Sequence, residues 1–269
     1  MVQHLQIDWA QEQLPVPSFT GVREMDIAAQ DVRPYINWIH FYNLWRVQSG
    51  SAEAETIRAE AEALLDSVEC GLRARVGFFA ARGTEQSIIL SHHEGRECCC
   101  STHETVISTP RQRRPNADGV SLSLCDFVAP EGDYVGAFAI TVASSFAEEL
   151  SALKEQGEEY RALLMQSVGD RLVEAASEWL HARVRRELWG YAKDEQLSPR
   201  EMFRGEYRGI RPAVGYPSLP NQQMIFPLAH LLDAEKIGIR LTENGAMYPQ
   251  ASVCGLYLAS PQARYFIIE

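Results

Sequence analysis

The chain has 269 residues, of which 46% are apolar and 23% charged. Those are ordinary values for a folded chain of one or two domains, and they exclude the disordered, collagen-like and coiled-coil classes. Lys plus Arg number 25 against 36 Asp plus Glu, a net charge of −11. Such a balance repels phosphate backbones and argues against a nucleic-acid partner. Apolar runs such as Gly136 to Ala143 are far short of the ~20 residues that span a bilayer. The N-terminus, MVQHLQIDWAQEQ, has neither a basic start nor an apolar h-region, so the expectation is a cytoplasmic chain with reduced thiols and no membrane partner.

Residues 1–24 read as a lead-in, Pro-rich over EQLPVPSFTGVRE. Residues 26–47 predict a helical stretch rich in aromatics: Ile27, Val32, Tyr35, Trp38, Phe41 and Trp45 follow helical spacing, and Pro34 can start a second turn. Residues 51–69 predict an amphipathic helix with Ala54, Ile57, Ala61, Leu64, Leu65 and Val68 on one face. Residues 74–142 change character, with ARVGFFA, QSIILS, SLSLCDFV and DYVGAFAITV as short runs of β-formers. Between them, residues 94–119 are polar and turn-rich and read as a long surface loop. That loop holds Cys98, Cys99 and Cys100, with His92, His93 and His103 nearby. Adjacent side chains diverge, whereas zinc ligands are usually spaced by two to four residues. The reading is a thiol-rich loop rather than a metal site.

Residues 146–191 predict one or two helices, with Leu164, Val168, Leu172, Ala175 and Trp179 as the apolar stripe. Gly169 sits inside this stretch, where glycine costs about 1 kcal/mol against alanine, and it marks close packing or approach to a partner. His181, in LHARVRR, reads as a helix-face histidine. Ser198-Pro199-Arg200-Glu201 has the form of a capped helix start. Residues 205–221 hold three Pro and three Gly and predict an irregular loop. An amphipathic helix over 224–236 follows, then a strand pair, Val253 to Leu258 and Arg264 to Ile268, joined by SPQA. Strands, then helices, then strands predict an α+β domain with an antiparallel sheet.

The loop GEYRGIRPAVGYP carries the most chemistry. Pro212 and Pro217 stiffen it, and Gly209 and Gly215 allow close approach to the main chain. An acid (Glu206), a guanidinium (Arg211) and a ring (Tyr216) suit a zwitterionic amino-acid ligand. A structural Ω-loop with a surface ion pair would carry the same residues, and the loop taken alone leaves both readings open.

The stretch RGIRPAVGYPSLP resembles the R-P-A-x-G-Y-P signature of the C-terminal activation (reactivation) domain of cobalamin-dependent methionine synthase. PYINWIHFYNLW, CDFVAP followed by DYVGAFAIT, DRLVEAASEWLHARVRRELWGYA and LTENGAMYPQASVCGLYLASPQARYF resemble further landmarks of that family, in its order, over about residues 14–268. The resemblance implies one activation domain over 1–269, an α+β fold with a curved antiparallel sheet flanked by helices. It implies a domain that binds S-adenosylmethionine over the corrin, so that inactive cob(II)alamin is reductively methylated with an electron from a flavodoxin-type donor. By resemblance, Arg211 would hold the ligand's carboxylate and Glu206 its ammonium. Backbone around Ala213 and Gly215 would meet the adenosine, Tyr216 would face the sulfonium or corrin, and Tyr265 would line the site. Asp170, Arg171 and Glu174, with Tyr216, would face the cobalamin module. Asn37 stands where the family usually has a ligand-contacting aspartate, and Phe266 where a second tyrosine is common. A sulfonium methyl is already electrophilic, so no proton-transfer residue is expected and the task is aiming the methyl.

The chain is thus expected to act as one component of a split methionine synthase, a methyltransferase not active alone. Its partner would be a cobalamin-binding methionine synthase chain or another corrinoid protein. The alternative is a docking module for a corrinoid protein that has lost S-adenosylmethionine binding.

Overall fold

The computed structural model describes residues 3–67, 71–93 and 102–268. Its strands are β1 (Gln3–His4), β2 (Gly21–Ala28), β3 (Gly71–Gly83), β4 (Ser87–His93), β5 (Thr102–Ser108), β6 (Val120–Ser121), β7 (Asp133–Val142), β8 (Arg240–Leu241), β9 (Met247–Tyr248) and β10 (Ser252–Tyr257). Its helices are α1 (Ala29–Val32), α2 (Trp38–Trp45), α3 (Ala52–Ser67), α4 (Ser144–Glu155), α5 (Glu159–Arg183), α6 (Pro199–Phe203) and α7 (Ile225–Leu232). Six strands form an antiparallel sheet, five of them in the order β10-β7-β3-β4-β5 and the sixth, β2, paired with β3. The long β3 takes β2 beside its first part and β4 beside its last. The expected α+β class with an antiparallel sheet is the one observed.

Strand period explains the two cores. Leu72, Ala74, Val76 and Phe78 of β3, with Phe138, Ile140 and Val142 of β7, face α2, α3, α4 and α5. Val135, Ala137 and Ala139 of β7 and Cys254 and Leu256 of β10 face the other way, toward α7 and residues 122–128. Both faces are therefore buried, and β7 reads as a continuous apolar run. Gly169 of α5 is the close-packing position the sequence marked. A Cβ there would lie 2.8 Å from the Phe146 ring and 3.2 Å from the Ala251 methyl.

Three expectations change. Residues 26–28 end β2 rather than begin a helix, because Glu24 pairs with Arg73 and Arg75 of β3 at 2.5 and 3.1 Å. That partner lies some fifty residues away and leaves no local signal. Residues 102–108, placed in a surface loop, form β5 against β4, with Ile107 buried and Thr102, His103 and Glu104 exposed. Arg264 to Ile268 is not a strand. The tail is held by Ser218, which donates to the Phe266 carbonyl at 2.5 Å, and by the Ile268 amide donating to the Pro217 carbonyl at 3.0 Å. The lead-in is tied down too: β1 pairs with β6, and Trp189 donates to the Pro15 carbonyl at 2.9 Å. Cys98, Cys99 and Cys100 lie outside the described residues, among which no group of metal-ligating side chains occurs. No described helix is long and apolar enough to cross a membrane.

Candidate functional site

Helix α5 supplies one wall. Arg171, Glu174 and Glu178 stand three and four residues apart and so share a face. The opposite face, with Leu172, Val168 and Ala176, is buried toward the sheet. The 205–221 loop crosses the exposed face. It is irregular, as expected, but it docks on β10 like an extra strand. The Leu256 amide donates to the Pro212 carbonyl and the Val214 amide to the Cys254 carbonyl, each at 2.9 Å. That approach requires glycine at 255, where a Cβ would sit 2.5 Å from the Pro212 carbonyl oxygen.

Two neighbouring hollows result. One, of about 330 Å³, is lined by Tyr35, Asn37, His40 and Arg171. The other, of about 440 Å³, is lined by Tyr207, Ala213, Tyr265 and Phe266 among others. Glu174, Glu178, Phe203, Arg211 and Tyr216 line both, which makes them parts of one groove. A larger hollow of about 910 Å³ lies elsewhere, under the N-terminal segment. Its principal charges, Arg111 and Asp126, already satisfy each other at 2.6 and 2.7 Å, so the smaller groove is the better ligand site.

Electrostatics concentrate at the groove floor. The Arg211 guanidinium donates to Glu178, with the two side chains 12% and 13% exposed. Burial works against the charge on Arg211, but Glu178, helped by Tyr265, Tyr207 and Glu174, keeps its pKa well above the ordinary guanidinium value. Three buried atoms here, Arg211 Nε, Arg171 Nε and Glu178 Oε2, have no hydrogen-bond partner among the described residues. Each such group costs about 1–3 kcal/mol, so unsatisfied polar atoms are concentrated in the charged residues that line the groove. Tyr216 donates to Glu174, and burial, followed by that carboxylate, pushes its pKa up. The Arg211 backbone N–H donates to the Tyr265 hydroxyl at 3.0 Å. The Asn37 side-chain oxygen accepts from the Ile39 amide at 3.2 Å and so caps α2.

Asn37, Arg171, Glu174, Arg211, Ala213, Tyr216, Tyr265 and Phe266, from four separate stretches of chain, thus meet in the groove. Phe266 is also a core residue, packed on Phe127 at 6.3 Å. Three expected residues stand apart. Glu206 is exposed and pairs with Arg204 at 3.2 Å, because the loop turns between it and Arg211. Gly215 lies outside both linings and donates its amide to the Leu219 carbonyl at 2.9 Å, within a tight turn at φ +85°. Asp170 accepts from Gln166 at 2.9 Å, and burial raises its pKa against the effect of that bond. His181 is not on a solvent face. It is fully buried and held neutral, its pKa lowered first by burial and then by Arg185 and Arg211. The sequence reading missed Tyr35, His40, Glu178, Phe203 and Tyr207. Only Glu178 carried a signal, its spacing from Arg171 and Glu174.

Residues 28–269 match the family described as vitamin B12 dependent methionine synthase, activation domain. Among solved structures, the chain is similar to a crystal structure of the MetH reactivation domain bound to AdoHcy. The identity is 33% and the TM-score 0.88, over 98% of this chain and 86% of that one.

Proposed function

Because the chain belongs to the activation-domain family of vitamin B12-dependent methionine synthase, we propose that its groove binds S-adenosylmethionine and presents the methyl group to cobalamin carried by another protein module. The carrying observation is the Arg211–Glu178 pair, a nearly buried guanidinium and carboxylate that both line the groove. Arg211 takes the ligand's carboxylate. Glu174 or Glu178 takes the ammonium, a role Glu206 cannot fill while it faces Arg204. Ala213 and the Tyr265 and Phe266 wall meet the adenosine, and Tyr216, 46% exposed at the rim, faces the sulfonium or the corrin. Asp170, Arg171 and Glu174 border the docking face for the cobalamin module.

The reaction is reductive methylation. An electron from a flavodoxin-type donor reduces cob(II)alamin, the C–S bond of the sulfonium breaks as the methyl passes to cobalt, and S-adenosylhomocysteine remains. The residues of this chain hold and orient the ligand and exclude water, and no proton need move. We take the cobalamin to be carried by a partner module or chain, in a cytoplasm that supplies the reductant.

A thermal melt tests the binding step. Ligand at a hundred times its Kd adds about 2.7 kcal/mol of stability, a Tm rise on the order of 5–10 °C in a chain of this size. Labelled S-adenosylmethionine should then transfer methyl to a cob(II)alamin-loaded partner only when this chain and a reductant are present. The docking-module alternative is favoured by Asn37, whose side-chain oxygen is committed to the α2 cap, and by Phe266, which offers no hydroxyl. No thermal shift at millimolar ligand would select it.

A further inference from the structure

The wall of the groove contains two tyrosine hydroxyls in contact. Tyr265 accepts from the Arg211 amide at 3.0 Å, and its oxygen lies 3.1 Å from that of Tyr207. A phenol oxygen has one hydrogen and two acceptor lone pairs. The amide uses one lone pair of Tyr265. If Tyr265 donated to Tyr207, its hydrogen would be spent inside the protein. If Tyr207 donates, Tyr265 accepts twice and keeps its hydrogen for an acceptor in the groove that both rings line.

The surroundings make Tyr207 the fixed member of the pair. Its ring stands edge-on to His181 at 4.9 Å and lies 4.4 Å from the Arg185 guanidinium. Arg185 is fully buried and gripped by Glu195 at 2.6 and 2.9 Å, and His181 stacks on the buried Tyr257 at 5.3 Å. Tyr265 is 47% exposed, on the irregular tail. We propose that Tyr207 is a positioning residue of the ligand site: its hydroxyl donates to Tyr265 and turns the Tyr265 proton toward an oxygen or ring-nitrogen acceptor of the bound S-adenosyl ligand. The inference rests on the S-adenosyl reading of the groove.

Calorimetric titration with S-adenosylhomocysteine tests it on the parent, Tyr207→Phe, Tyr265→Phe and the double variant. Phenylalanine keeps each ring and removes only the hydroxyl. Tyr207→Phe should weaken binding about three- to tenfold, the range of one neutral hydrogen bond. Tyr265→Phe should weaken it at least as much. The double variant should bind like Tyr265→Phe alone, since Tyr207 acts only through Tyr265. A purely packing role would lower the ligand-free Tm of Tyr207→Phe and leave its affinity at the parent value. That outcome, or losses that multiply in the double variant, overturns the proposal. Parent-like affinity in Tyr265→Phe, an exposed position where folding is not at stake, overturns it as well. Absence of binding by the parent chain would remove the S-adenosyl reading itself, and this inference with it.

Discussion

Replacing Arg211 with alanine should unfold this protein at markedly lower temperature even without ligand. Arg211 and Glu178 are 12% and 13% exposed, so neither charge is well hydrated once its partner is gone. Removing one member of a buried pair leaves an uncompensated charge and costs about 3–5 kcal/mol. At about 2–4 °C per kcal/mol for a chain near this size, the Tm should fall by roughly 6–20 °C. Glu178→Gln should lose stability by the same logic. The double replacement R211M/E178M should recover more than half of the loss, since two apolar side chains of similar volume leave no charge to solvate. Differential scanning calorimetry of the four ligand-free proteins at neutral pH reads these differences directly. An Arg211→Ala protein melting within about 2 °C of the parent, or a double variant that sums the two single losses, would refute the claim that the pair is a buried, mutually dependent unit.

Other outcomes follow from the same structure. His181 is neutral in the fold, its pKa depressed by burial and by Arg185 and Arg211, while in the unfolded chain it takes a proton below about pH 6.5. Stability should therefore fall as pH drops below that point, by up to about 1.4 kcal/mol per unit from this residue. Denaturant midpoints between neutral pH and pH 5 should decline less in His181→Gln, and parallel declines would contradict the assignment. Gly255→Ala would force the Pro212 carbonyl away from β10, costing about 1–3 kcal/mol and weakening S-adenosylhomocysteine binding. A variant with parent stability and affinity would show that the loop is not seated there. Asn37→Ala removes the α2 cap and should cost about 0.5–2 kcal/mol in chemical denaturation, whereas Asn37→Asp keeps a capping oxygen and should stay near the parent.

Local sequence carried the elements whose signals are local. The α5 stripe, the capped start of α6 at Ser198 and the proline–glycine loop over 205–221 all appear where their residues placed them. The helix face of Arg171, Glu174 and Glu178 was readable in the same way, since three- and four-residue steps bring side chains together on any helix. Strand β2 was not, because its charged residues are stabilised by Arg73 and Arg75 on a strand distant in sequence, and β5 was hidden by the polar outward residues of a sheet edge. Partner choice within the groove was also out of reach. Glu206 and Glu178 are both plausible mates for Arg211 by charge, but charge type says nothing of direction. The loop turns one acid to solvent and lays the guanidinium against the other, so the groove floor exists only because α5, β10 and the C-terminal tail converge in space.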